Sequence, residues 1–270
     1  MQVFRAMMKY YVTGHVHVSL AVAALAVVTF KFFKQEVPLP FVGFVFCGTL
    51  VAYGLINRIG AMNWAVEATK GFVFRALKAL FLPLSGALFC YGLLPNEIQL
   101  TALVFGVLCL FYIVPLRTTP LRNYAGIKLF VVAFVWTGVT AVMPLMYVNN
   151  TRGAMFVGMV VTRFLWVIVL TLPFDIRDLD RDLPHLRTWP QAYGVKQTKI
   201  MGTLLMLLVV LISWFAGLYS GSETGPFYST MIVTLLGLWG ASPKRSWWYA
   251  AFWVEAIPIF WLGLVWLLAD

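Results

Sequence analysis

Acidic side chains are scarce in this 270-residue chain, where ten Asp and Glu stand against twenty Lys and Arg and charged residues of all kinds make up 11%. A soluble domain carries roughly 25% charged residues, so a water-facing globule is excluded. The three cysteines, Cys47, Cys90 and Cys109, lie in apolar stretches without metal-like spacing, which leaves them as small buried hydrophobes. Interdomain linkers, internal repeats and low-complexity tracts are also missing, so residues 1–270 read as a single domain. No A-x-A-like cleavage site follows the first apolar stretch, and the expectation is an uncleaved segment.

What the chain has is oil. Hydrophobic residues make up 61% of it, and the mean hydropathy is +0.87. A run of about 20 apolar residues spans a bilayer. Nine such stretches occur, near 15–33, 40–60, 77–94, 99–115, 127–147, 153–173, 200–219, 227–241 and 247–268. The reading is an all-α integral membrane bundle of about nine transmembrane helices. Basic loops stay on the cytoplasmic side. With the N-terminus inside, that side holds Arg5, Lys9 and the basic residues near 58–78, 117–128, 177–199 and 244–245, and the other side only Lys31, Lys34 and Arg152. The net charge of +10 is then topology and attraction to anionic lipid headgroups of the bilayer, and no nucleic-acid partner is implied.

Against this background one stretch stands out, TLPFDIRDLDRDLPHLRTWPQAYGVK at 171–196. Every aspartate except the C-terminal one is in it, at the cytoplasmic end of the sixth span. If 174–183 continues as helix at about 100° per residue, Asp175, Asp178 and Asp182 share one face, and Asp180 points away beside Arg177 and Arg181. Three carboxylates on one face repel, so a cation is expected to answer them. Hard oxygen ligands suit Mg2+, which keeps several waters and joins one or two carboxylates to substrate phosphates. The plainer alternative is a solvated acidic helix end balanced by the intervening arginines.

The pattern Asp175-Ile-Arg-Asp178-x-x-x-Asp182, followed by Arg187-Thr188-Trp189-Pro190 and Gly194-Val195-Lys196, resembles the second aspartate-rich motif of UbiA-type membrane prenyltransferases. Tyr112-Ile-Val-Pro115-Leu116-Arg117 resembles the family's Y-x-x-P-L-R segment after the fourth helix, and nine spans with an inside N-terminus match its architecture. The resemblance implies a cytoplasm-facing site in which Mg2+ links aspartates to an isoprenyl diphosphate, whose prenyl group passes to a lipophilic, usually aromatic, acceptor. It implies metal binding by Asp175, Asp178 and Asp182, and a phosphate clamp from Lys196 and Arg117 with Arg122 or Lys128. Departing diphosphate needs electrostatic stabilisation, and aromatic walls shield the allylic cation. The stretches near 58–76, 116–126 and 174–199 meet the same membrane face and are placed to form a lid.

One departure matters. The family's first motif reads N-x-x-x-D-x-x-x-D, and from Asn57 its two aspartate positions are Ala61 and Ala65. A shifted remnant is Asn63-x-x-x-Glu67. That leaves a one-metal enzyme, an altered substrate headgroup, or loss of catalysis. The readings that follow are a prenyltransferase, transferring an alkyl group other than methyl, or a non-catalytic prenyl-lipid binder. A cation-coupled transporter is the third, disfavoured because the acids sit at one rim and no repeat is present. Two further charges, Arg163 in the sixth span and Glu255 in the ninth, lie at comparable depth and are expected to pair. His15 and His17 diverge on a helix and are expected to make separate hydrogen bonds.

Overall fold

The computed structural model describes residues 2–59, 78, 80–114 and 120–268, and among these it is all helical. In chain order the helices are α1 (Gln2–Thr13), α2 (Val16–Phe32), α3 (Leu39–Ile59), α4 (Phe81–Gly92), α5 (Asn96–Ile113), α6 (Ile127–Tyr147) and α7 (Gly153–Arg177). They continue as the short α8 (Trp189–Tyr193), α9 (Val195–Phe215), α10 (Thr224–Gly240) and α11 (Tyr249–Leu268).

Six of these, α3, α5, α6, α7, α9 and α11, are long and apolar enough to cross a membrane, and α1 with α2 forms a seventh candidate bent by 58°. The bend falls at Gly14-His15, where His15 takes a left-handed conformation with φ 64°. Helices α4 and α10 occupy the two remaining predicted stretches, but with 12 and 17 residues they are shorter than a full span. The protein is therefore a multi-pass integral membrane protein, and the predicted count of nine spans is reached only if the two shorter apolar helices are included.

Helix α7 is the axis of the bundle. It packs against α6, α9 and α10, while α2 packs against α3 and α11 and α3 against α4. An unbroken run from Trp166 to Leu170 is buried in α7, as expected of a helix with protein on all sides. Close approach is made possible by small residues. Gly138 of α6 faces Phe105 of α5, and a Cβ there would stand 2.0 Å from the ring.

Two helices contain π-helical turns, Gly138–Val142 in α6 and Tyr249–Val254 in α11. Such turns loosen the i to i−4 ladder. In α6 the consequence is visible at Thr140, whose carbonyl accepts from Thr29 Oγ1 at 2.6 Å and from the Arg163 guanidinium at 3.3 Å. Arg163 is 2% exposed. It also donates to the Leu25 carbonyl at 3.1 Å and to Thr29 Oγ1 at 3.1 Å, hydrogen-bonds Tyr219, and lies 5.5 Å from the Trp261 ring centroid.

The expected Arg163 to Glu255 pair is therefore corrected. The arginine is satisfied by carbonyls, hydroxyls and an aromatic face from α2, α6, the 216–223 loop and α11. Glu255 instead lines a cavity, where Arg177 is its charged neighbour. A guanidinium has five donors in a fixed fork, and several neutral acceptors can answer it as well as one carboxylate.

Two expectations follow. Arg163→Met strands several buried acceptors at about 1–3 kcal/mol each before relaxation, so its unfolding midpoint in detergent drops well below that of the parent, whereas Glu255→Gln unfolds at or above the parent midpoint. Gly138→Ala overpacks the α5/α6 contact by about 1–3 kcal/mol, and a companion Phe105→Ala change recovers part of that loss in the same melting assay.

Candidate functional site

Helix α7 does not run on through the aspartates. It ends at Arg177, with Asp178 as its C-cap. The Asp178 carbonyl then accepts from the backbone N–H groups of both Arg181 and Asp182, each at 2.8 Å, which closes a tight turn. The 100° extrapolation fails at that turn, and the expected single carboxylate face is replaced by two groupings. Asp180 is exposed, as its helical phase suggested.

In the first grouping Asp175 and Asp182 converge on Lys128 of α6, whose Nζ lies 3.4 Å from Asp175 Oδ1 and 3.5 Å from Asp182 Oδ2. The Asp175 side chain is 7% exposed. Lys128 is aimed there because α6 begins right after Gly126, which takes φ 70° and donates its N–H to the Leu186 carbonyl at 2.8 Å. A side chain at position 126 would strain that left-handed turn. Asp182 is steadied from the other side, since Gln191 Nε2 donates to its carbonyl at 2.9 Å and Gln191 Oε1 accepts from the Thr188 N–H at 3.0 Å.

In the second grouping Arg177 turns onto its neighbour. Its Nε donates to Asp178 Oδ1 at 2.8 Å, its terminal nitrogen reaches Oδ2, and its guanidinium lies 5.3 Å from the Phe174 ring centroid. The expectation that Arg177 sits away from the metal-facing carboxylates beside Asp180 is thereby corrected. A long side chain at a helix terminus is free to fold along the axis, and a bidentate carboxylate is its best partner.

Both groupings open into one cavity of about 330 Å³, within the size range of small-molecule sites. Lys128, Asp175, Arg177, Asp178 and Asn57 form its polar end. Leu129, Val131, Val132, Val135 and Leu170 supply apolar wall, and Tyr53, Tyr112, Trp136 and Phe174 supply aromatic wall. From Lys128 to Trp136 the α6 wall runs eight residues, roughly 12 Å. Trp136 Nε1 donates to the Tyr53 hydroxyl at 3.3 Å, which fixes both rings.

The other expected site residues divide. Arg122 donates to the Ile56 carbonyl at 3.3 Å, beside the cavity without lining it. Lys196, near the start of α9, is exposed and is not part of the cavity wall, so it is not brought to the site. Asn57 lines the cavity and donates Nδ2 to His15 Nε2 at 2.9 Å, while His17 bonds elsewhere, to Tyr11 and Phe252. Arg117, Asn63 and Glu67 lie outside the described residues, as do Ala61 and Ala65.

Sequence reasoning did not find Tyr53, Trp136 or Cys109 as cavity residues. Tyr53 precedes Asn57 by one turn on the same face of α3, a spacing that was available as a signal. Trp136 and Cys109 had none beyond aromatic or apolar character.

No protein-family model matches the sequence, and no curated protein does either. Solved structures do match. The apo structure of a UbiA homolog from Aeropyrum pernix K1 superposes with a TM-score of 0.64 at 16% identity, covering 94% of this chain and 97% of that one. A digeranylgeranylglyceryl phosphate synthase superposes with a TM-score of 0.57 at 14% identity, covering 97% and 96%. The fold is thus UbiA-like over nearly its whole length.

The Lys128 contacts generate a direct expectation. Lys128→Met leaves Asp175 and Asp182 facing each other without a cation, at a cost of about 1–3 kcal/mol for a partly exposed ammonium. Its unfolding midpoint falls below the parent's, and millimolar Mg2+ raises the variant's midpoint more than the parent's.

Proposed function

We propose that this protein is a membrane prenyltransferase that takes an isoprenyl diphosphate, with the diphosphate at the Lys128/Arg177 end of the cavity and the prenyl chain along its apolar wall. The observation that carries the reading is the polarity of the cavity. One end gathers Asp175 and Asp178 with Lys128 and Arg177, Asp182 sits against Lys128 outside the lining, and most of the rest is aliphatic and aromatic. That division suits a ligand with a highly charged head and a hydrocarbon tail. Both UbiA-like neighbours are consistent with it, one of them being named as a synthase of a digeranylgeranyl lipid.

Mg2+ belongs to this proposal, and the donor set bears on it. Asp175, Asp178 and Asp182 offer hard oxygens, and the ammonium of Lys128 already marks a place where two of them hold positive charge. Among the described residues no three acidic, His or Cys side chains are gathered at ligand spacing. The fit is therefore to one ion that two of these carboxylates hold at a time, leaving positions for water and phosphate oxygens. When bound, the ion would neutralise the departing diphosphate.

The remaining work falls to the protein. Lys128 and Arg177 orient phosphate oxygens by charge-assisted hydrogen bonds. The aliphatic wall excludes water from the developing allylic cation, and Tyr53, Tyr112, Trp136 and Phe174 present ring faces to it. The acceptor attacks from within the cavity, and the polar end opens to the cytoplasm by the bias of basic loops.

A second reading has its own support. Lys128 already occupies the carboxylates, and alanines stand where the family's first aspartates would be, which suits a protein that binds a prenyl diphosphate without turning it over. One experiment separates the two. Purified protein is incubated with labelled isoprenyl diphosphates of graded length, with and without Mg2+, and then with an acceptor panel. Mg2+-dependent binding weakened about tenfold, ~1.4 kcal/mol, by Asp178→Ala is expected, together with acceptor-dependent diphosphate release. Binding without release across the panel favours the non-catalytic reading. Binding indifferent both to Mg2+ and to Asp178→Ala removes the metal from the proposal.

A further inference from the structure

Helix α10 ends at Gly240, and its last carbonyls are answered by two cations from its neighbours. Lys199 of α9 donates Nζ to the Trp239 carbonyl at 2.7 Å, and Arg245, in the connection to α11, donates Nε to the Gly240 carbonyl at 3.2 Å. Bonding to consecutive carbonyls brings an ammonium and a guanidinium to one helix end. A helix C-terminus welcomes a cation, but its partial charge of about half a unit does not neutralise two. Among the described residues no carboxylate pairs with Lys199, Lys244 or Arg245.

The two cations are held in place. The Lys199 ammonium lies 5.9 Å from the Trp239 ring centroid, and the Arg245 guanidinium 5.2 Å from that of Tyr249. Both rings are fixed in turn, because Trp239 Nε1 donates to Thr203 Oγ1 at 3.0 Å and the Tyr249 hydroxyl donates to the Gly237 carbonyl at 2.9 Å. Gly240 admits Tyr249, whose hydroxyl would collide with a Cβ at that position. An ammonium has three donors and a guanidinium five, and the described residues accept one from each. Arg245 is exposed and Lys199 half-buried, so the remaining donors are within reach of an outside acceptor.

Lys196, three residues before Lys199, shares its side of α9 and is exposed as well. Along α10 the surface beside the cations is apolar. Trp239, Leu236 and Ile232 recur at helical spacing, and each is at least half exposed, as on a face turned to hydrocarbon. None of these residues lines the cavity. Donors at the helix end above an apolar stripe suit a ligand with an anionic head and acyl chains, whereas a soluble anion has no use for the stripe.

The geometry points to a binding site for an anionic membrane phospholipid where α9, α10 and the start of α11 meet, with its phosphate between Lys199 and Arg245 and an acyl chain along α10. Basic loops attract anionic lipid diffusely, and two braced cations make that attraction local. The site is separate from the cavity and does not depend on the prenyl-transfer reading.

Full-length protein in non-ionic detergent is titrated with dioleoyl phosphatidylglycerol or dioleoyl phosphatidylcholine, which share chains and phosphate and differ in net charge, and binding is counted by native mass spectrometry. The parent is expected to bind phosphatidylglycerol about tenfold more tightly. Lys199→Gln with Arg245→Gln keeps a donor on each side chain, removes both charges, and is expected to lose most of that preference. Lys9→Gln with Arg181→Gln removes two exposed cations elsewhere on the chain and is expected to keep it. Should the first double variant fold poorly, the parent decides the matter alone. A photoactivatable phosphatidylglycerol is expected to label residues 196–203 and 239–249, and unlabelled phosphatidylglycerol, but not excess inorganic phosphate, is expected to suppress that labelling. Equal binding of the two lipids, equal loss in the two double variants, labelling spread over the other helices, or suppression by inorganic phosphate overturns the inference.

Discussion

A charge carried into the low-dielectric interior of a membrane protein must be answered within a few ångströms, and the acidic end of α7 is organised by that requirement. Asp175 is almost fully buried and sits within electrostatic reach of Asp178 and Asp182. At an effective dielectric of about 20, each Lys128 contact near 3.4 Å is worth roughly 5 kcal/mol of Coulomb attraction. Desolvating three ions costs several kcal/mol apiece. These opposed terms are of similar size, so the cluster adds little net stability. Under the proposed function, such a near balance would let the carboxylates exchange the ammonium for a metal ion, which a deeply stabilised ion pair would not.

The same requirement bears differently on the two helices that depart from regular geometry, α6 and α11. Arg163 is answered without any acid, by carbonyl and hydroxyl oxygens, one of them exposed by the π-helical turn at Gly138–Val142. Glu255 follows a second π-helical turn and lines the cavity with Arg177 as its charged neighbour, without a hydrogen-bond or ion-pair partner among the described residues. One irregular turn thus consolidates the bundle core, while the other places an acidic side chain on a cavity wall. The contrast separates a charge consumed by the bundle core from an acidic side chain left on a cavity wall, although both are equally conspicuous as ionisable residues within apolar stretches.

Much of the scaffold was legible because hydropathy reports directly on what lipid tolerates. The apolar stretches at 127–147 and 247–268 coincide closely with α6 and α11, and 153–173 falls four residues short of the end of α7 only because Asp175 and Arg177 belong to the helix. The acidic cluster was legible as a candidate site because so few acids occur elsewhere. Its internal arrangement was not, since a helical wheel contains no information about where a helix stops, and the stop at Asp178 decides which aspartate meets which cation. The Arg163 partner was hidden for a related reason. Opposite charges at equal depth suggest a pair, but π-helical turns supply acceptors that no residue count reveals. Lys196 shows the limit of carrying a motif over, since it matches the pattern and is exposed, away from the cavity.

The alanines at 61 and 65 acquire their meaning from Lys128. A diphosphate approaching two aspartate-rich motifs needs enough divalent charge to bridge them, whereas here one motif is without its carboxylates and the other already holds an ammonium between two of its three. Removing acids on one side and fixing a cation on the other change the local charge in the same direction, toward positive. Under the proposed function, a polyanionic headgroup would then meet Lys128 and Arg177 with fewer carboxylates to offset, so that fewer metal ions would be needed to hold it. On that proposal, loss of the first motif is not by itself loss of the site. It would shift the neutralising charge from exchangeable ions to side chains fixed on α6 and α7, and their fixed position would make the geometry of that end the determinant of which headgroup it accepts.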